Sequence, residues 1–175
     1  MYNDFEIHKS KILKEVTFIR PDVFNDTRGS LYTTFLKDDI ESLLPENMNF
    51  VHDKFAFSKR NVLRGIHGDF HSWKLITCVS GSIFQVIVDN RKDSKNYLKY
   101  DSIVIDSSSP SSVLIPPGFG NAFQVLSESA VYHYKLAYIG EYKDANEQFT
   151  LKWNDNRINI SWPNNNPALS DRDSK

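Results

Sequence analysis

Short apolar runs separated by turn residues are the sequence feature that most restricts the fold of this chain. Residues 75–79, 83–88 and 131–138 are rich in β-branched and aromatic residues, and glycine, serine or proline lies between such runs. Many short strands divided in this way predict a sandwich or barrel rather than a parallel α/β sheet. We therefore expect an all-β fold, with residues 37–44 as a short peripheral helix that Pro45 ends.

Local patterns add detail to this prediction. Residues 31–36 are predicted to form a strand, and the alternating phenylalanines of residues 49–58 predict another. The dipeptide Ser80-Gly81 is typical of a hairpin turn. Residues 148–173 contain two tryptophans and three asparagines before a proline, and we expect them to form an ordered strap with little regular structure.

Composition restricts the class of protein. The 175 residues suit one domain with a substantial core, and the balance of 21 basic against 22 acidic residues does not indicate nucleic acid or an anionic membrane as partner. Cys78 is the only cysteine. This excludes an intrachain disulfide, and its apolar neighbours predict a core residue rather than a nucleophile. No apolar run reaches the ~20 residues of a membrane span, and no signal peptide is visible, so we expect a cytoplasmic protein.

Two stretches of the sequence indicate which all-β fold to expect. Gly81 and residues 116–121, PPGFGN, resemble the two spaced motifs of the cupin jelly roll. In metal-binding cupins the second motif ends in histidine, where this chain has Asn121, and the first needs an H-x-H cluster that His67 and His71 do not form. The expected fold is a metal-free cupin-type jelly roll, or double-stranded β-helix, over residues 1–175.

Residues 61–74, NVLRGIHGDFHSWK, concentrate candidate functional groups. An arginine cation beside a histidine proton acceptor suits chemistry next to a carbonyl on an anionic substrate. The alternative is an ordinary strand end with exposed charges. Arg64 and His67 differ in strand parity, so both reach one pocket only if the strand is irregular at Gly65, and we predict a bulge or bend there.

Nine short motifs follow one another along the chain: Asp26-Thr27-Arg28-Gly29, residues 62–67, Lys74-Leu75, residues 88–91 with Ser94, residues 116–119, Tyr134-Lys135, residues 153–155, Trp162-Pro163 and residues 169–173. In this order they resemble the dTDP-4-keto-6-deoxyglucose 3,5-epimerase family over nearly the whole chain. The runs HDKF, NVLRGIHGD, KLITCV, GNAF and YKLAY resemble a subgroup more closely, the GDP-4-keto-6-deoxy-heptose 3- or 3,5-epimerases of bacterial capsular polysaccharide synthesis.

The resemblance implies catalytic roles for four residues. His67 is the base that removes a proton beside the ketone, and Asp173 orients it, with Asp171 as the alternative carboxylate. Lys74 polarises the keto oxygen. Tyr134 is the acid that delivers a proton to the opposite face of the sugar.

Two of these residues have an ordinary structural explanation. A tyrosine in an aromatic strand usually packs in a core. Alternation places Tyr132, Tyr134 and Tyr138 on one face of the strand, opposite His133 and Lys135. Asp173 lies near the end of the chain, where disorder is common.

The resemblance also implies substrate contacts from Arg64, Arg28, Asn121, Gln85, His52 and Asp69. The two arginines match residues that bind the diphosphate. In the dTDP-sugar enzymes the positions of Asn121 and Gln85 hold histidine and aspartate, so here an amide pair replaces a charged pair. Together with His52 and Asp69, which also depart from the family pattern, this change favours a GDP-linked sugar over a dTDP-linked one.

The resemblance implies a homodimer, with residues 5–20 crossing to the partner's sheet. It also implies a reaction without cofactor, and no G-x-G-x-x-G loop occurs. Carbon 3 is the expected site of inversion, and carbon 5 remains open. The alternatives are a dTDP-4-keto-6-deoxyglucose 3,5-epimerase, a 3,4-ketoisomerase, a non-catalytic sugar-binding cupin, and a metal-dependent oxygenase for which the ligands cannot be assembled.

Overall fold

Strands dominate the computed structural model, which describes residues 5–175. In chain order the elements are β1 Phe5–Lys9, β2 Thr17–Pro21, β3 Val23–Asp26, β4 Gly29–Tyr32, α1 Lys37–Glu41, β5 Phe50–Lys59, β6 Leu63–Gly68, β7 Trp73–Ser80, β8 Ser82–Asp89, β9 Tyr100–Asp106, β10 Ser112–Ile115, β11 Phe119–Val125, β12 Ser129–Ala137 and β13 Phe149–Thr150. The all-β prediction is confirmed.

The strands form two main antiparallel sheets. The six-stranded sheet has the order β1-β2-β10-β7-β12-β5, and the five-stranded sheet has the order β13-β6-β11-β8-β9, while β3 and β4 form a separate hairpin. From β6 onward the chain passes repeatedly from one main sheet to the other. This is the arrangement of a cupin-like jelly roll, as predicted.

The predicted hairpin turn at Ser80-Gly81 is wrong. Strands β7 and β8 belong to different sheets and do not pair, so Gly81 carries the chain across the sandwich. Gly81 has φ +80, and a Cβ there would lie 2.2 Å from the carbonyl oxygen of Ser129. Only glycine suits this position, because both the dihedral angle and the close approach exclude a side chain.

Two predicted element boundaries also need correction. The strand expected over residues 31–36 ends at Tyr32. The helix expected over residues 37–44 ends at Glu41, because Leu43 and Leu44 continue with tighter bonds from their amides to carbonyls three residues earlier.

The main core lies between the two sheets. It contains fully buried residues of both, including Ile76 and Tyr132 of the six-stranded sheet and Ile87 and Phe119 of the five-stranded sheet. Cys78 lies in this core, as predicted, and burial raises the pKa of its thiol to about 11. A thiol with this pKa is a poor nucleophile at neutral pH.

The tail forms the predicted strap. Its only strand, β13, pairs with β6, and Trp162 packs in a second cluster that includes Leu63 and Ile66 of β6. The indole nitrogen of Trp162 donates to the carbonyl of Trp153 at 2.7 Å. These contacts hold the tail against β6 and bring Asp173 to the end of that strand.

The N-terminal strands complete the sheet of their own chain. Strand β1 pairs with β2, and β2 pairs with β10. Exchange of residues 5–20 with a partner, and the homodimer itself, stay predictions. Within the described part of the chain, no helix is both long and apolar enough to cross a bilayer.

Candidate active site

An open cleft of about 270 Å³ lies between the two sheets and the tail. Six of the ten predicted site residues line it: His67, Lys74, Tyr134, Asp173, Arg64 and Asn121. They come from β6, β7, β11, β12 and the tail. The jelly roll therefore gathers into one cleft residues that lie far apart in the sequence.

Strand β6 presents Arg64 and His67 to the same cleft because it is irregular at Gly65. Its pairing with β11 changes register between Asn121 and Phe123. Gly65 has φ +119, and a Cβ there would lie 2.5 Å from the Cβ of Ala122. The predicted irregularity is confirmed.

The tail places Asp173 beside His67. His67 Nε2 lies 2.6 Å from Asp173 Oδ1, although the ring nitrogen does not point at that oxygen in linear hydrogen-bond geometry. The Ser170 hydroxyl donates to Asp173 Oδ2 at 2.9 Å, and Asp173 is only 5% exposed. Asp171 is exposed, so of the two candidate carboxylates it is Asp173 that contacts His67.

The Asp173 carboxylate stays ionised despite its burial. Burial opposes the charged form, but the contacts with His67, Ser170 and the Gly65 amide outweigh it, so the pKa of Asp173 lies below its ordinary value of 3.8. The ionised Asp173 carboxylate therefore lies directly beside the His67 imidazole.

Lys74 enters the cleft from β7 with a carboxylate behind it. Its Nζ donates to Asp69 Oδ2 at 3.0 Å, and the amides of His71 and Ser72 donate to the other oxygen of Asp69. Burial opposes ionisation of Asp69, yet Lys74 and the two amides lower the pKa of this carboxyl overall. Asp69 is buried and does not line the cleft. It orients Lys74 rather than facing a substrate.

Tyr134 comes from the sheet opposite to that of His67. It lies on β12 next to Tyr132, with the two rings 5.7 Å apart, and burial raises the pKa of its phenol. Neighbouring His133 and Lys135 turn to the other face of the sheet, where both contact Asp53. The predicted alternation is confirmed for Tyr132 and Tyr134, whereas Tyr138 lies beyond the end of β12 and contacts His52.

The amide pair forms the hydrogen bonds expected of it. Gln85 Nε2 donates to Asn121 Oδ1 at 2.6 Å, and the Tyr132 hydroxyl donates to the same oxygen at 3.1 Å. Because both neighbours donate to Oδ1, the Asn121 amide nitrogen is the group left to face the cleft. Gln85 itself is fully buried behind Asn121.

Two predicted binding residues lie away from the cleft. Arg28 is at the tip of the β3–β4 hairpin, where its side chain is 86% exposed and pairs with Asp26 at 2.6 Å. The His52 ring packs edge-on against Tyr142 at 4.8 Å, behind the cleft wall. In this chain the structure does not bring either residue together with His67.

Polar residues outside the predicted site also line the cleft, among them Lys54, Tyr142, Asp144, Gln148, Ser170 and Arg172. Lys54 Nζ donates to the Tyr142 hydroxyl at 2.9 Å. Arg172, which directly precedes Asp173 in the sequence, donates to the Thr150 hydroxyl at 3.1 Å. Over residues 5–175, no group of three or more His, Cys, Asp or Glu residues is placed to hold a metal ion.

Comparison with known proteins gives the family. The family model described as dTDP-4-dehydrorhamnose 3,5-epimerase matches residues 10–175. The dTDP-4-dehydrorhamnose 3,5-epimerase of Escherichia coli (strain K12) is 34% identical over 154 residues, which cover 86% of this chain and 82% of the relative.

Solved structures agree with this match. A dTDP-6-deoxy-D-glucose-3,5-epimerase from Legionella pneumophila, in complex with dTDP-4-keto-L-rhamnose, superposes with a TM-score of 0.89 at 29% identity, covering 98% of this chain and 90% of that one. A 3'-monoepimerase from Streptomyces bikiniensis, in complex with dTDP-quinovose, superposes with a TM-score of 0.85 at 25% identity, covering 95% and 84%. This chain belongs to the dTDP-4-dehydrorhamnose 3,5-epimerase family.

Proposed function

We propose that this protein inverts a carbon beside the ketone of a dTDP-linked 4-keto-6-deoxy sugar. The observation that carries the proposal is the placement of two proton-transfer groups in one cleft. The His67–Asp173 pair enters from β6 and the tail, and Tyr134 enters from the opposite sheet. Inversion needs a base on one face of the sugar ring and an acid on the other.

His67 is the base in this mechanism. Its Nε2 lies 2.6 Å from Asp173 Oδ1. In this mechanism the neutral imidazole carries its proton on Nε2 and offers the Nδ1 lone pair to the substrate. Nδ1 takes the proton from carbon 3, and the electron pair of that C–H bond moves toward the keto oxygen. Asp173 then stabilises the imidazolium.

Lys74 and Tyr134 complete the reaction. The Lys74 ammonium, fixed by Asp69, stabilises the negative charge that develops on the keto oxygen. Tyr134 then gives its hydroxyl proton to carbon 3 from the opposite face, which inverts that centre. Arg64, one of several cations that line the cleft, binds the diphosphate in this mechanism. The reaction is redox-neutral and requires no cofactor.

The relatives support the dTDP-linked substrate, since the matched family and the compared enzymes are named for dTDP sugars. A GDP-linked 4-keto-6-deoxy-heptose is the second candidate. The observation that favours it is the neutral Gln85–Asn121 pair at positions where the dTDP-sugar enzymes carry a charged pair.

A kinetic comparison of the two substrates tests the proposal. We expect a higher kcat/KM for the dTDP-linked 4-keto-6-deoxyhexose than for the GDP-linked heptose. Preference for the GDP-linked sugar would replace the substrate but keep the mechanism. Failure of both sugars to exchange hydrogen with heavy water would reject the epimerase and indicate a sugar-binding protein.

The same heavy-water experiment decides which carbons react. We propose inversion at carbon 3, and proton NMR counts whether carbon 5 exchanges as well. A compared structure is a 3'-monoepimerase, so this fold accommodates inversion of one centre. A 3,4-ketoisomerase would instead move the ketone along the ring, which the same spectra would show.

A further inference from the structure

Lys54 brings a positive charge to the tyrosine side of the cleft. It lies in β5 directly opposite Tyr134 in β12, and both residues line the cleft. Directly opposed residues on one face of an antiparallel pair have Cβ atoms about 4.5–5.5 Å apart. The sheet therefore places the Lys54 side chain beside the Tyr134 phenol.

The partner of Lys54 differs from that of Lys74. Lys54 Nζ donates to the Tyr142 hydroxyl at 2.9 Å and lies 4.0 Å from the centre of the Tyr142 ring. Lys74, in contrast, is paired with the Asp69 carboxylate. A phenol fixes the position of an ammonium group without neutralising it, so Lys54 keeps its charge for other neighbours.

We propose that the Lys54 ammonium stabilises the phenolate that Tyr134 becomes when it donates its proton. This inference rests on the proposed function. In that step the O–H bond of Tyr134 breaks and its electron pair stays on the oxygen. The new C–H bond forms from the electron pair of the enolate. The negative charge thus moves from the sugar to Tyr134, next to Lys54.

The electrostatic surroundings of Tyr134 agree with this role. Burial raises the pKa of Tyr134, and Lys54 is the strongest opposing influence, ahead of Arg64, while the Tyr142 hydroxyl raises it further. The other titratable groups around Tyr134 are Tyr132 on the same strand and His67, Lys74, Asp144, Arg172 and Asp173 lining the cleft. Lys54 acts through Tyr134 and is a positioning residue.

NMR titration of isotopically labelled tyrosine tests the proposal without any substrate. The Tyr134 signal is identified by its loss in Tyr134→Phe. In Lys54→Met we expect the pKa of Tyr134 to rise by roughly one unit, and in Lys54→Arg to stay near the wild-type value. Lys59→Met is the matched control, because Lys59 lies on the same strand and is exposed. An unchanged titration in Lys54→Met would overturn the proposal.

Kinetics then show whether the phenolate matters in the reaction. We expect Lys54→Met to lower kcat about 10-fold with little change in KM, and Lys54→Arg to restore it. Hydrogen exchange that depends on His67 should continue in Lys54→Met. A normal kcat in Lys54→Met, despite a shifted titration, would also overturn the proposal.

The variant Tyr142→Phe separates the effect of the Lys54 charge from the effect of its contact with Tyr142. It removes the hydroxyl that holds Lys54 but keeps the ammonium, so the pKa of Tyr134 should not rise. A rise equal to that in Lys54→Met would show that the Tyr142 contact, not the charge, is responsible, and would overturn the proposal. If wild-type protein inverts no sugar, the proposed function fails, yet the titration still decides whether Lys54 stabilises the phenolate.

Discussion

The two sides of the cleft hold their proton-transfer groups in opposite electrostatic settings. We call the side with His67 and Asp173 the base wall, and the side with Tyr134 and Lys54 the acid wall. On the base wall, His67 contacts the ionised carboxylate of Asp173 at 2.6 Å. On the acid wall, Tyr134 has the ammonium of Lys54 across the strand pair and the guanidinium of Arg64 nearby, and both lower its pKa against the effect of burial.

This difference shows how one cleft can run two proton transfers. His67 becomes positive when it accepts a proton, and Tyr134 becomes negative when it donates one. Each wall supplies the charge opposite to the one that its group acquires. Variants that remove a proton-transfer group or its partner should therefore affect one wall and spare the other.

The largest effect is expected on the acid wall. Tyr134→Phe should lower kcat for inversion by about 10³-fold, because it removes the phenol proton that this mechanism delivers to that face. Exchange of the sugar hydrogen with solvent should continue, since His67 and Asp173 are untouched. Coupled measurement of product formation and deuterium incorporation checks this. Loss of both activities together would contradict the separation of the two walls.

Much of this site could be predicted from sequence, since its residues lie in motifs and the parity conflict between Arg64 and His67 indicates a bend at Gly65. The missed residues depend on which face of a strand points inward. In β5 the alternating Phe55 and Phe57 are 58% and 74% exposed, while Lys54 and Ala56, at the intervening positions, line the cleft. Apolar alternation predicts a strand but not which of its faces points inward.

Pairing between strands was harder to predict, because it depends on contacts between residues far apart in the sequence. The dipeptide Ser80-Gly81 favours a hairpin locally, yet the strands on either side join different sheets. Long-range contacts with β10 and β12 decide where β7 lies. No local pattern encodes them. The position of Arg28 on an exposed hairpin also follows from the folded arrangement rather than from its motif.

The next largest effect is expected from the partner of the base. Asp173→Asn should lower kcat about 10²-fold, because the amide keeps the shape of the side chain but cannot stabilise the imidazolium. Asp171→Asn is the matched control, two residues away and exposed, and should keep near-normal turnover. Steady-state kinetics of both variants check this. Equal losses would contradict the assignment of Asp173.

A smaller effect is expected on stability when the backbone of β6, which carries His67, is altered at Gly65. Gly65→Ala should destabilise the protein by about 1–3 kcal/mol, because φ +119 suits glycine and the added methyl group would lie 2.5 Å from the Asn121 carbonyl oxygen. Denaturant unfolding measures the loss. The matched variant is Gly29→Ala, where φ is +131 but no atom lies within 4 Å of the added Cβ. Gly29→Ala measures the cost of the backbone conformation alone. Equal losses of unfolding free energy in the two variants would show that the close contact at Gly65 contributes nothing.

The smallest effect is on acid stability. The pKa of Asp173 is lower in the folded protein than its ordinary value of 3.8, so its ionised form favours folding at pH values above 3.8. This contribution is lost as the pH falls through the lowered value. The Tm of wild type should therefore exceed that of Asp173→Asn near neutral pH, and the gap should narrow in acid. A gap that widens in acid would contradict the sign of the shift.

The most direct test is deuterium incorporation by His67→Asn in heavy water, followed by proton NMR with the 4-keto sugar that wild type turns over. Circular dichroism first confirms that the variant is folded. With the imidazole gone, we expect neither hydrogen exchange beside the ketone nor inversion, while Tyr134→Phe still exchanges. Undiminished inversion by folded His67→Asn would show that another group removes the proton, and would contradict the assignment of His67 as the base.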